Sequence, residues 1–323
     1  MNKLSQRISD NWYRPWWHNA WLLPLQSLSS VVVNHRWRRL GSNRQQAAGE
    51  VPVWVVGNLT VGGTGKTPLI IWLVERAQQL GLRPAIVSRG YGGKAPAYPL
   101  RVDSETAVEH CGDEPKLLSQ RLNVPVWVDP QRARAVAAAT PGADIIFSDD
   151  GLQHYTMKRS LEILVVDAER EFGNGWLLPI GPLREPLSRR RSVDMELRNG
   201  VDFCVRPIAL VNALTGARRS PRVLQNQAVH AVAGIGNPQR FQTTLEQLGA
   251  CVQTHWYPDH HEFVAEELEF GDAAAVVMTE KDWVKIRPFA TRKMWYLQVG
   301  TAMKNSVRDQ LETELLRVAE RNA

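Results

Sequence analysis

Cysteine is scarce in this 323-residue chain. Its three cysteines, Cys111, Cys204 and Cys251, are odd in number, scattered, and lack metal-ligand spacing. That pattern excludes a disulfide framework and fits a reducing compartment. Cys111 lies beside a candidate motif, where a small buried thiol is the plain expectation. Long apolar runs are also missing. The most apolar stretch, Trp16 to Val33, is interrupted by His18, Asn19, Pro24 and Gln26, whereas a membrane span needs about 20 predominantly apolar residues. No uninterrupted apolar region with a small-residue cleavage site is found there, so no secretory signal is expected. Internal repeats and low-complexity tracts are lacking. An apolar content of 44% and a charged content of 22% belong to an ordinary globular protein. The length exceeds one typical compact core and predicts two domains.

What is present is unevenly spread. Residues 1–50 carry Lys3, Arg7, Arg14, Arg36, Arg38, Arg39 and Arg44 against Asp10 and Glu50, which is +5 of the chain's net +6. Trp12, Trp16, Trp17, Trp21 and Trp37 cluster in the same arm, five of the twelve tryptophans. Trp17, Trp21, Leu25, Leu28 and Val32 recur at helical spacing, with Pro24 expected to kink or split that helix. Tryptophan and basic residues bracketing an apolar face suit a bilayer headgroup region. The alternative is a helix packed on the protein's own core. A nucleic-acid arm fits less well, because the tryptophans share a stripe with Leu and Val rather than with the basic residues.

Beyond the arm, short apolar runs alternate with helical patterns, which predicts a doubly wound parallel sheet. Strands are expected at 51–56, 84–88, 124–128, 144–147 and 161–166, with helices at 66–80, 114–122 and 131–139. The Gly-, Pro- and Arg-rich region 173–191 is expected to skirt a site. A second α/β block follows, with strands at 201–205, 229–233, 274–278 and 295–299 and helices at 238–248 and 307–321. The expected organisation is an arm over 1–50, a nucleotide-binding domain over 51–200 and a smaller α/β domain over 201–323.

The most informative segment follows the apolar run Val51–Val56. Thr60-Val61-Gly62-Gly63-Thr64-Gly65-Lys66-Thr67 is a Gly-rich turn opening an amphipathic helix. Glycines let successive backbone N–H groups converge on phosphate oxygens, and a helix N-terminus adds positive potential. Lys66 would reach the β- and γ-phosphates, and the Thr67 hydroxyl would ligate Mg²⁺. Thr60 stands where the general phosphate-loop pattern has its first Gly. The alternative is a Gly-rich turn with an incidental Lys.

Strand ends carry the other candidates, because open α/β sheets bind ligands beyond the carboxyl ends of their strands. The run 144–148 ends in Asp149-Asp150, the form of a Mg²⁺-organising acidic motif, with Gly151, Gln153 and His154 at the same edge. Asp167 ends another apolar run and competes as a metal ligand or a simple cap. Cys111-Gly112-Asp113-Glu114-Pro115 reads equally as a helix cap or as a general base near the phosphate. Pro258-Asp259-His260-His261 follows a strand-like 251–256. It suits proton transfer or phosphate contact, or is a surface pair; adjacent histidines make a poor zinc site.

In order, these motifs are joined by Ser88-Arg89-Gly90-Tyr91-Gly92-Gly93, Gly181-Pro182-Leu183-Arg184-Glu185-Pro186 and Thr279-Glu280-Lys281-Asp282. Together they resemble the tetraacyldisaccharide 4'-kinase family from about residue 12 to residue 300, and Thr60 is itself a feature of that family. The resemblance implies ATP-dependent phosphorylation of the 4'-hydroxyl of a tetraacylated glucosamine disaccharide 1-phosphate in lipid A biosynthesis. It implies Mg²⁺ as cofactor and a peripheral position at the cytoplasmic face of the inner membrane. The partners implied are the lipid disaccharide and the membrane surface, with no nucleic acid and no obligate protein partner. Asp113 matches the family's catalytic acid, paired with a histidine that best matches His260. Lys66 would stabilise the transferring phosphate, and Thr67, Asp149, Asp150 and Glu185 would organise Mg²⁺ directly or through water. Arg89 and Tyr91 would contact the acceptor. The rival is a switch or metallochaperone GTPase, but Thr279-Glu280-Lys281-Asp282 places its Lys one position too late for guanine recognition.

Overall fold

The computed structural model describes residues 3–40 and 50–322. Arg44, counted above in the charge of the arm, lies outside them. The arm begins with α1 (Lys3–Asp10), passes through two 3₁₀ segments, and continues as α2 (Leu23–Leu40). Pro24 falls in the first turn of α2, where a missing N–H removes no helical bond. The proline therefore splits the expected helix rather than kinking it.

The first block runs β1 (Val53–Gly57), α3 (Lys66–Gln79), β2 (Pro84–Ser88), β3 (Leu100–Val102), α4 (Val108–Cys111), α5 (Asp113–Arg121) and β4 (Val126–Val128). It continues with α6 (Arg132–Ala139), β5 (Ile145–Asp149), β6 (Leu161–Asp167) and β7 (Met195–Asn199). The second block runs β8 (Phe203–Asn212), β9 (Arg218–Arg219), β10 (Ala228–Ala233), α7 (Pro238–Gln247), β11 (Cys251–Trp256), β12 (Ala275–Thr279), α8 (Glu280–Ile286), β13 (Met294–Met303) and α9 (Asn305–Asn322).

All these strands join one sheet in the order β11-β10-β12-β13-β8-β7-β6-β1-β5-β2-β4-β3, with β9 beside β8. The central strands β2, β5, β1, β6 and β7 are parallel, and helices cover both faces as expected for near-continuous apolar strands. Alternation along β1 divides the core. Trp54 and Val56 pack with Leu69, Ile70 and Leu73 of α3 on one face, and Val53 and Val55 pack with Ala135 and Ala139 of α6 on the other. Each such fully buried aliphatic side chain contributes about 1.5–3 kcal/mol.

The two blocks are not separate in the way a boundary near residue 200 suggests. Phe203, Met303 and the α9 residues Leu311, Leu315 and Val318 pack in the same cluster as Val56 and Leu69. The C-terminal helix thus returns to the first core. Residues 209–297 supply two further clusters on the faces of the smaller half-sheet. Region 173–191 has no strand, yet Leu177 and Leu183 are buried against the β1–β6 face while its polar residues reach the site.

Candidate active site

The Gly-rich loop leaves β1 at the centre of the sheet. Register pairs Val56 with Asp149, so the ends of β1 and β5 open side by side. Gly65 precedes α3 with φ of +98°, and a Cβ there would stand 2.6 Å from Nδ2 of Asn199. Only glycine satisfies both conditions. Asn199 donates to the Thr64 carbonyl at 3.1 Å, and Thr64 Oγ1 is buried with no protein partner. The loop is braced from behind by the Gly-Pro-Leu-Arg-Glu-Pro segment: Val61 N–H donates to Pro182 O at 2.9 Å, and Arg184 N–H to Leu59 O at 2.7 Å. Lys66 Nζ donates to Asn58 Oδ1 at 3.1 Å and stands 3.7 Å from Asp150 Oδ1.

The adjacent carboxylates at the end of β5 have opposite environments. Asp150, with φ of +50°, receives Arg184 through both guanidinium nitrogens at 2.8 and 2.9 Å. Burial opposes its ionisation, but Lys66 and Arg184 outweigh burial and hold it well below the usual carboxylate range. Asp149 is buried, and its Oδ1 has no protein donor. Burial, with the charges of Glu114 and Asp150, pushes its carboxyl up to about 7. Arg132, itself buried, donates to the Asp149 carbonyl at 2.5 Å. Burial lowers Arg132 to about 10, which leaves it charged at neutral pH.

Glu185 is placed differently from a carboxylate open to a metal. Its oxygens accept from Tyr155 and, at 2.7 Å, from Gln153, and Arg189 lies at 3.7 Å. Gln153 also donates to Asn58 O at 3.2 Å, so Glu185 braces the loop through it. Asp167 accepts from the N–H groups of Glu169 and Arg170 and pairs with Arg240 at 2.8 Å. That carboxylate caps a turn and ties α7 to the first block.

Asp113 begins α5, but the residue at its cap is Gly112, at φ of +85°. A Cβ on Gly112 would lie 2.3 Å from Tyr91 O. The tight contact presses the Tyr91 loop onto the start of α5. The Asp113 side chain caps nothing and turns instead to His260, whose Nδ1 lies 3.1 Å from Asp113 Oδ2. Lys285 Nζ stands 3.6 Å from the same oxygen. Burial would raise the Asp113 carboxyl, yet the His260 hydrogen bond and the charges of Lys285 and Lys281 bring it below its ordinary value. His260 has φ of +62°, and its ring lies 5.1 Å from that of the exposed Tyr91. His261 faces away, its Nε2 donating to the Glu267 carboxylate (2.9 and 3.0 Å) and its ring stacking on Tyr257. Arg89 is exposed on the same loop as Tyr91; burial, then the charges of Arg132 and Arg89, lowers the His154 imidazole to about 4. Cys111 is buried and pushed up to about 11 by that burial, as an inert thiol should be.

A phosphate loop, a paired acidic strand end and an Asp–His pair thus converge on the carboxyl ends of β1, β2 and β5. The sequence model of the tetraacyldisaccharide-1-P 4'-kinase family matches residues 18–316. The chain belongs to that family. A tetraacyldisaccharide 4'-kinase of Pseudomonas fluorescens is 46% identical, covering 98% of this chain and 97% of its own length. One of Pseudomonas paraeruginosa is 48% identical over 91% and 92%. Among solved structures, LpxK of Aquifex aeolicus in complex with ATP superposes with a TM-score of 0.77 at 26% identity, covering 93% of this chain and 98% of that one. The GTPase alternative falls with this assignment. Thr279 caps α8 by accepting from Asp282 N–H, and the Asp282 carboxylate accepts from Gly234 N–H at 3.1 Å.

Reading motifs alone misses Asn58, Arg132, Arg184, Asn199, Lys281 and Lys285. Arg184 sat inside a quoted motif without a role. Lys285 carried a usable signal, because Thr279 followed three residues later by Asp282 is a helix-start pattern that puts Lys281 and Lys285 on one helical face.

Proposed function

We propose that this chain transfers the γ-phosphoryl group of ATP to the 4'-hydroxyl of a tetraacylated glucosamine disaccharide 1-phosphate, in lipid A biosynthesis. The observation that carries the reading is an intact phosphate loop at the end of β1 in a chain matching the family model over residues 18–316.

The backbone of residues 60–67 would cradle the phosphates, and Lys66 would offset charge on the γ-phosphate once that phosphate draws it from Asn58 and Asp150. For Mg²⁺ the donor set fits: Asp149 offers a buried oxygen without a partner, and Thr67 a hydroxyl at the head of α3, both hard ligands. Bound there, the ion supplies neutralisation of phosphate charge. Asp150 and Glu185 already hold protein donors and act by orienting Lys66, Arg184 and Gln153. Arg89 and Tyr91 border the Asp113–His260 pair from the exposed side and would contact the acceptor.

In the transfer, the acceptor oxygen forms a bond to the γ-phosphorus while the bond from phosphorus to the β–γ bridging oxygen breaks, releasing ADP. The hydroxyl proton passes to the Asp113–His260 pair. Oδ2 of Asp113 is engaged by His260 and Lys285, leaving Oδ1 as the acceptor atom.

The arm supports peripheral placement at the cytoplasmic face of the inner membrane. Among the described residues no helix is long and apolar enough to cross a membrane. Trp17, Trp21, Leu25, Leu28 and Val32 are 50–64% exposed. The other side of the arm is docked, with Asn19 donating to Ile180 O, Ser29 to Leu178 O and Trp12 to Pro179 O. A solvent-exposed Trp/Leu stripe flanked by Arg36, Arg38 and Arg39 suits a bilayer interface that delivers a lipid acceptor.

Mass-spectrometric detection of phosphate moved from ATP to a tetraacyldisaccharide 1-phosphate tests the reaction, with Lys66→Ala as the paired variant. Wild type should form the product, and Lys66→Ala should lose several orders of magnitude with an unchanged melting curve. Normal turnover in folded Lys66→Ala would remove the loop from the mechanism.

A further inference from the structure

Lys285 is buried, with 7% of its side chain exposed, on the face of α8 turned toward α5. A buried ammonium is costly unless compensated. Its Nζ stands 3.0 Å from Asp282 Oδ1 and 3.6 Å from Asp113 Oδ2, and 5.0 Å over the Phe263 ring. Asp282 is wholly buried and fixed in turn: Oδ2 accepts from Thr279 Oγ1 at 2.6 Å and from Gly234 N–H at 3.1 Å. A chain of buried polar contacts therefore runs from the smaller half, through Asp282 and Lys285, to the carboxylate that begins α5.

We infer that Lys285 is a positioning residue for Asp113: its ammonium, anchored by Asp282, holds Oδ2 toward His260 and leaves Oδ1 open to the acceptor hydroxyl. The inference rests on the reading of Asp113 as part of the proton-accepting pair. Among the described residues the charged neighbours of Asp113 come from three segments. His260 and Asp259 come from the loop after β11, Glu114 from α5, and Lys281 and Lys285 from α8. Lys281 is occupied by Asp259 at 3.1 Å and Glu114 at 3.9 Å, so its charge is largely shared away from Asp113. Among the described residues Lys285 pairs with Asp282 and Asp113 alone, which makes it the cation that acts on Oδ2.

The test compares wild type, Lys285→Arg, and the double variant Lys285→Met with Asp282→Asn, which removes both charges of the buried pair and so avoids stranding either. The readouts are the pH profile of kcat/KM and the titration of the Asp113 carboxyl carbon by NMR, assigned by its loss in Asp113→Asn. In the double variant the Asp113 midpoint should rise by about one pH unit or more, the effect of losing an opposite charge within ~4–6 Å. The acid limb of kcat/KM should move in the same direction, with kcat reduced and KM for ATP unchanged. Lys285→Arg should restore the wild-type midpoint. An unmoved midpoint in a folded double variant overturns the inference. The Asp113→Asn control separates the two readings: if it keeps its turnover, the proton-accepting pair falls, whatever the midpoints do. If it loses turnover while the double variant's midpoint stays put, only the role of Lys285 falls.

Discussion

Asp149 shows at the scale of one side chain how a site is held at a cost to the fold. An ordinary aspartate ionises near 3.8, and burial beside Glu114 and Asp150 pushes this one up to about 7. Above pH 4 the unfolded chain carries the charge readily and the fold does not. Folding is therefore penalised progressively as pH rises from about 4 to about 7, and fully above that. A cation held there, as we propose, would relieve the same penalty, which is the expected trade of stability for function. Asp149→Asn should melt higher than wild type at pH 8 without ligand, with the gap closing as pH falls toward 4, and should lose turnover. Thermal unfolding across pH 4–8 checks this. Equal melting at pH 8 would mean that Lys66 and Arg132 already compensate the charge. The neighbouring Asp150 carries no such cost, because Arg184 grips both its oxygens. Two adjacent residues of one type thus take different tasks from their partners alone, and nothing in the letters Asp-Asp distinguishes them.

The arm is the element whose role is most exposed to test. Its docked side mixes Asn19, Gln26 and Ser29 with Leu22 and Trp37, while its free side is a continuous apolar stripe, which a helix packed on a protein core would bury. Replacing Trp17, Trp21 and Leu25 with Ser leaves the bonds of Asn19, Ser29 and Trp12 in place. The variant should keep ATP binding and lose cosedimentation with anionic vesicles; retained sedimentation would assign the stripe to another partner. Elements were legible where one physical signal dominated. β1, β2, β5 and β6 are apolar runs between turn residues, and α3, α5, α6, α7 and α9 follow helical periodicity, with a capping Asn237 and Pro238 at the start of α7. β7 was missed although Met195-Glu-Leu-Arg-Asn199 alternates buried and half-exposed positions, because the segment lies just after a stretch dominated by Arg and Pro. β3 and β9 are two or three residues long and have no period to read. The groups that meet at the candidate site were legible where they are neighbours in the chain, as in the Gly-rich loop and the Asp-Asp strand end. They were illegible where the site depends on contact across the chain. Choosing between a cap and a base at Asp113 needs the position of His260, 147 residues away.

Across the whole molecule, the site is divided between the halves of one sheet. Lys66, Asp149 and Asp113 come from the first block, and His260 and Lys285 from the second. The sheet joins them weakly, since β7 and β8 pair at a single position, Asn199 with Phe203. Side chains must therefore fix the approach of the halves. Thr301 on β13 donates to Pro68 O at 2.9 Å, Asp167 meets Arg240 near the surface, and Arg121 meets Glu280 in the interior. The last contact spans α5 and α8, the two helices that carry Asp113 and Lys285. Arg121 reaches both Glu280 oxygens at 2.8 and 3.0 Å, and Gln298 donates to the same carboxylate at 3.2 Å. Removing one partner strands a buried charge and costs about 3–5 kcal/mol, whereas replacing both is far cheaper. The informative variant is therefore Arg121→Met with Glu280→Gln, which should stay folded while the α5–α8 spacing loosens. A misplacement of about 1 Å at reacting groups costs on the order of 10²-fold in rate. The double variant should lose a large part of that range in kcat. Its Kd for ATP should stay within about twofold, because every group assigned to the phosphates lies in the first block. Steady-state kinetics with an ATP titration decides the point. Parallel losses in kcat and ATP affinity would make the pair a support of the nucleotide half, and the halves would then be held in register by the packing of Phe203, Met303 and α9 on the first core instead.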